Sequence, residues 1–226
     1  MTVSQRVRPS SFILCLSLVF PIAGCSSAPQ PVGDLGRGSL ILPVRLVDSD
    51  LQQVPIPDPI RGYALLGSIP GTIFGDPRAP FGSVTINTDH SLSIDLSRLQ
   101  EVGKHATRIN AEGIGFGWKI HPGGTRFSRV STTFNSAGSA LDVKKVGFFD
   151  LEGNEVLLLV FFDRPCRLTG TINIPPGQGD FMHYLYDVTI DRAGFNWLAI
   201  HKDRNPGWAL VRHATPSVQP VYLLRE

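Results

Sequence analysis

The sequence predicts an all-β protein: a single antiparallel β-sandwich, with a barrel as the alternative and at most one short helix. Three observations predict it. Short runs rich in β-branched and aromatic residues alternate apolar and polar positions, as in Ser83–Asn87, Leu92–Leu96 and Arg167–Ile174. Glycine and proline, 23 and 18 of the 226 residues, break these runs at the short intervals that hairpins require. Only residues 95–105 carry helical spacing, and they are too few to build a helical layer.

The elements follow in chain order. Leu40–Val47 opens the domain, and Pro43 within it favours an edge position because it has no N–H to give a ladder. Val54–Pro59 carries proline at every second position and reads as extended loop. Ser83–Asn87 and Leu92–Leu96 flank Thr88-Asp89-His90, a hairpin with one buried face. Asp95 or Ser97 can cap a helix in which Leu96, Leu99 and Val102 recur, with Gly103 as its end. Gly113, Gly115 and Gly117 alternate with Ile114, Phe116 and Trp118. The spacing is wrong for a dinucleotide fingerprint, and no helical pattern follows; the run reads as backbone that admits close neighbours. Val146–Asp150 and Glu155–Phe162 form a hairpin, and the continuous apolar run of the second marks a central strand buried on both faces. Arg167–Ile174, Tyr184–Ile190, Phe195–His201, Trp208–His213 and Val221–Leu224 complete the set, with Asp203–Gly207 as the last turn. No internal repeat appears, and residues 39–226 read as one domain.

The first residues follow different rules. Arg6 and Arg8 precede Phe12–Phe20, nine residues that are almost all apolar and far short of the roughly 20 needed to span a bilayer. This is the layout of a signal peptide over residues 1–24, and Val7 between the arginines argues against a twin-arginine signal. The run ends in Ile22-Ala23-Gly24-Cys25, followed by Ser26 and Ser27. This segment resembles the signal and lipobox of bacterial lipoproteins. The resemblance implies cleavage before Cys25, a diacylglyceryl group on its sulfur, and acylation of the new amino terminus. Two or more acyl chains give stable membrane anchoring without a spanning helix. Ser26 in the position after the cysteine implies outer-membrane sorting in a Gram-negative cell. Residues 25–38 then form the lipidated cysteine and a Pro/Gly/Ser-rich tether, whose flexible reach is on the order of 20 Å.

Charge and cysteine content narrow the function. The formal charge of +2 belongs to Arg6 and Arg8; the remainder holds 19 basic and 19 acidic residues, without the basic stripe of a nucleic-acid binder. With Cys15 in the signal and Cys25 acylated, Cys166 has no partner. It is either a buried inert thiol or one activated by Arg164 and Arg167.

Candidate chemistry is sparse. None of the six histidines forms a short-spaced ligand pair, and His183, His201 and His213 could converge only if their strands did, so no metal or other cofactor is expected. No Gly-x-Ser-x-Gly elbow occurs. Glycoside hydrolysis would need two facing carboxylates, for which Asp163, Asp187, Asp191 and Asp203 are available in the second half. Tyr184, Tyr186, Trp197, Trp208 and Arg212 come from three nearby strands. They form either an exposed platform for a glycan or protein partner, or part of the core. The expectation is a lipid-anchored envelope protein, held to the membrane through Cys25, that binds an envelope protein or glycan. An anchored hydrolase acting on envelope polysaccharide or peptide is the alternative, and a small-hydrophobe carrier a third.

Overall fold

The structure is a computed structural model that describes residues 39–48, 52–56, 63–70, 79–95, 102–108, 117, 119–135, 143, 145–152, 154–174, 183–214 and 220–225. The lipobox, the tether and most of the glycine-alternating segment lie outside the described residues. The first half contains β1 (Ser39–Val47), β2 (Gln53–Val54), β3 (Tyr63–Pro70), β4 (Ala79–Thr85), β5 (Ser91–Asp95), β6 (Lys119–His121) and β7 (Phe127–Asn135). The second half contains β8 (Lys145–Asp150), β9 (Glu155–Phe162), β10 (Cys166–Asn173), β11 (His183–Ile190), β12 (Gly194–Lys202), β13 (Trp208–His213) and β14 (Pro220–Arg225).

The strands form one large sheet in the order β2-β1-β14-β8-β9-β12-β13-β11-β10-β6, with β3, β4, β5 and β7 attached off this path. The all-β expectation holds; the purely antiparallel one does not, and the sheet is not closed into a barrel. β1 runs parallel to β14, and β11 parallel to β13. The second case follows from the connections. β12 turns back from β11 without pairing with it, and β13 reverses again and enters between the two. Alternation of side chains records burial but carries no strand direction, so the sequence pattern is blind to this insertion.

Two strands change partners along their length. β9 pairs with β8 over Glu155–Leu157 and with β7 over Val160–Phe162, while β12 runs along its whole opposite edge. β1 pairs with β5 over Ser39–Pro43 and with β14 over Val44–Val47. Pro43 pairs with Ser91 of β5 on one side, and, because Val44 N–H donates to His90 O, its nitrogen faces the other side, where β14 joins only from Val44. Lacking an N–H, it suits a position where pairing with β14 has not yet begun.

The β4–β5 turn forms as expected: Asn87 N–H donates to Ser91 O (2.8 Å), and His90 takes the left-handed conformation at φ 57°. The two strands then part. Among the described residues they share only the Ile86–Leu92 bridge, because β4 pairs with β3 and β5 with β1. The expected helix is reduced to one turn at residues 102–104, with 96–101 outside the described residues. Gly103 lies within that turn instead of ending it. A Cβ there would meet the tip of the Phe161 ring at 2.9 Å, so any larger residue would have to displace that ring.

Burial divides between the two faces of the sheet. Leu157 and Leu159 of β9 point into a core with Leu40, Leu42, Val44 and Leu46 of β1, Trp197 of β12, Phe148 of β8 and Tyr222 of β14. Trp197 meets Phe148 edge-on at 5.1 Å, and the Tyr222 and Thr132 hydroxyls hydrogen-bond at 2.9 Å. Leu158, Val160 and Phe162 point the other way, into a core with Phe127, Leu168, Tyr184, Tyr186, Leu198 and Val211. Here the sheet curls enough for Arg129 of β7 to sense Tyr186 and Tyr184 of β11: burial lowers its pKa to about 10, and the two tyrosines oppose that shift.

Trp197 is 1% exposed. We expect Trp197→Ala to destabilise the fold by about 3–5 kcal/mol in urea unfolding, and Trp208→Ala by less than half as much. Equal losses would refute this division into core and surface.

Candidate functional site

The face that carries the first core continues across β12, β13, β11 and β10, but there it opens to solvent. The register defines it. Leu185 pairs with Leu210, and Leu210 with His201; one step past the Val156–Ile200 pair, His201 meets Glu155. In the neighbouring row Asp187 follows the Tyr186–Val211 pair and lies beside Arg212, which pairs with Ala199. Thr171 and Thr169 extend these rows on β10, opposite Leu185 and Asp187. Leu185 is 40% exposed, and the Arg167–Asp187 ion pair (3.2 Å) lies in solvent at the outer corner.

Glu155 marks the boundary between the covered and open parts of this face. Its side chain is 3% exposed, yet its Oε1 accepts hydrogen bonds from Arg212 Nη2 (2.6 Å) and from His201 Nδ1 (2.9 Å). A buried carboxylate is costly unless paired, and these two partners, both half in water, pair it from the open side. Asp150 stands opposite Glu155 across β8–β9, also buried; its Oδ1 accepts from Glu152 N–H in the connecting turn. Glu155 thus fixes the positions of Arg212 and His201 on three adjacent strands.

At the other end of the open face, Trp208 stacks on His183 with ring centroids 4.4 Å apart and planes 27° from parallel. His183 is held in turn: its Nδ1 lies 2.8 Å from Asn173 Oδ1, and its backbone N–H donates to Gly207 O. The Trp208 backbone is pinned by Asn205 O and Asp203 N–H at the tip of the β12–β13 turn. Both rings are half-buried, and the His183 ring against which Trp208 stacks is held by Asn173.

Of the five residues expected to share a patch, the structure brings two to this face and not the others. Trp208 and Arg212 lie on it. Tyr184 and Tyr186 point through the sheet into the second core, and Trp197 is buried in the first. The signal that separates them is parity. Residues 184, 186, 188 and 190 are Tyr, Tyr, Val and Ile, whereas 183, 185, 187 and 189 are His, Leu, Asp and Thr. The even set is the apolar one and so turns inward. Glu155 and Leu185, which the sequence pattern did not mark, belong to the face instead, together with His183 and His201, which it marked only as candidate metal ligands. Cys25 lies outside the described residues.

The remaining candidates are placed as follows. His183 and His201 share the open face, but His213 points to the opposite side beside Leu198. Among the described residues no group of three His, Cys, Asp or Glu gathers in metal-binding geometry. Cys166 is a buried free thiol, and burial, reinforced by the charge of Asp163, pushes its pKa up to about 12. The arginines that might have activated it are engaged elsewhere, Arg164 with Asp163 and Arg167 with Asp187. Gly117, the described member of the glycine run, makes the close approach expected of it: its N–H donates to Thr171 O, and a Cβ would lie 3.1 Å from that oxygen. No family model, no curated protein and no solved structure matches this chain.

Removing Arg212 leaves the Glu155 carboxylate with His201 alone. Arg212→Met should cost about 1–3 kcal/mol, and in the Glu155→Gln background the same change should cost much less. A double-mutant cycle with no coupling would show that the pair does not anchor the face. His213 gives a pH signature. Burial lowers its pKa below the ordinary 6.5, against the opposing charge of Asp191, so the folded chain prefers the neutral ring. Its contribution is fully present above about 6.5 and is lost as pH falls toward the depressed folded value. Thermal melts of His213→Gln should therefore lose less stability on acidification than the parent; an identical pH profile would refute the assignment.

Proposed function

We propose that this chain is a lipid-anchored cell-envelope protein whose β-domain binds an envelope protein or glycan through the open face of β12, β13, β11 and β10. The single observation that carries the binding reading is the Trp208–His183 stack, set beside exposed Leu185 with the paired charges at the far end of the same strands. Exposed aromatic and aliphatic groups fixed in advance lose little entropy on binding, which is what a recognition surface requires. The anchoring reading rests on the basic start, the nine-residue apolar run and Ile22-Ala23-Gly24-Cys25. In a Gram-negative cell, Ser26 favours the outer membrane. The reading includes a layered, sandwich-like arrangement, supported by the first core lying between β1 and the β8–β9–β12–β14 face.

The test separates anchor from face. Cys25→Ala should move the chain out of the detergent-soluble membrane fraction and slow its migration, because neither acylation nor cleavage occurs. In that unlipidated background, residual retention on washed envelopes should depend on the open face. Leu185→Asp should lower it at least about tenfold, a change of about 1.4 kcal/mol. Unchanged fractionation overturns the anchor; unchanged retention overturns the face.

A further inference from the structure

We infer that the open face takes an uncharged glycan chain, with Trp208 as the stacking platform for one sugar ring; this rests on the proposal that the face binds a ligand. Charge is the first argument. The strongest charges within the face neutralise one another: Arg167 pairs with Asp187 at 3.2 Å, and Arg212 with Glu155 at 2.6 Å. Arg212 is offset by the buried Glu155 beneath it and Arg167 by Asp187, so an acidic polymer would find both guanidinium groups already compensated. A neutral polyhydroxyl ligand has no such conflict. It also exploits what the pairs present: the carboxylate of Asp187 and the guanidinium groups of Arg167 and Arg212 offer two-point acceptors and donors, the geometry that matches neighbouring sugar hydroxyls.

The second argument is the layout. Trp208, Leu210 and Arg212 project from β13, and His183, Leu185 and Asp187 project beside them from β11. Along both strands the face passes from aromatic through aliphatic to charged over about 13 Å, four residues at about 3.3 Å each, the span of a short oligosaccharide. Sugar rings have one apolar face of C–H groups and an equatorial rim of hydroxyls. A ring lying on Trp208, with the next residues over Leu185 and Leu210, would place its rim toward Thr171, Asp187 and Arg212. A protein partner would instead favour a centre depleted in charge, and here the ion pairs adjoin the apolar strip directly.

The experiment is calorimetric titration of the full-length chain in detergent with β-1,4-linked tetramers of glucose and of N-acetylglucosamine, and with tetragalacturonate as a charged probe of equal length. Binding of at least one neutral tetramer at millimolar affinity or tighter, and stronger than tetragalacturonate, is the expected result. Trp208→Ala should weaken it at least about tenfold, Trp208→Tyr should retain most of it, and Asp187→Asn should weaken it severalfold, each measured well below the variant's own melting temperature. Stronger binding of tetragalacturonate overturns the inference, as does neutral-tetramer binding that survives Trp208→Ala. If neither neutral tetramer binds while Leu185→Asp still lowers envelope retention, the glycan inference falls and the binding face stands. If retention is also unaffected, both fall.

Discussion

Everything in this structure hangs on the two-sidedness of β9. Its successive residues feed opposite cores, Leu157 and Leu159 into one and Leu158, Val160 and Phe162 into the other. Over Leu157–Phe162 such a strand has no solvent face and is covered on both sides and paired along both edges, whereas Val156 near its start reaches solvent. The pairing is uneven. β12 runs the full length of one edge, whereas the other edge is shared by β8 and β7. That division is what lets the sheet branch, sending β7 and β3 one way and β14 and β1 the other.

The open face is the residue of the same constraint. Within the first core the side chains on this face are apolar; where that core ends, the next positions are Glu155, His201 and Arg212. A carboxylate at this border keeps water-facing cations close to the core's edge. Beyond it the sheet has one buried side and one wet side, and the strand pattern becomes the simple alternation seen in β11.

How much of this was legible in the sequence depends on what period-two patterns encode. They report whether a residue faces core or water, so β8 to β14 emerge close to their observed bounds, and β9 is recognisable as central from its unbroken apolar run. They do not report which strand lies beside which. Nothing in the sequence of Trp208–His213 announces that it enters between β11 and β12, and nothing in Val221–Leu224 announces a parallel partnership with β1. The candidate site suffered from the same limit in a subtler form. Tyr184 and Tyr186 look like recognition residues by type, but their parity with Val188 and Ile190 assigns them to the core. Glu155 and Arg212 are 57 residues apart, and only the register of three strands brings them within 2.6 Å.

The change of partners at Pro43 has a mechanical consequence. A load applied upstream of Ser39 runs along the axis of β1, with β5 holding the first half of the strand and β14 the second. Both sets of ladder bonds lie across that axis, so they are sheared together instead of being opened one at a time. The chain thus meets traction at its leading strand with its stiffest response, and with a partner on each side of the proline to share it.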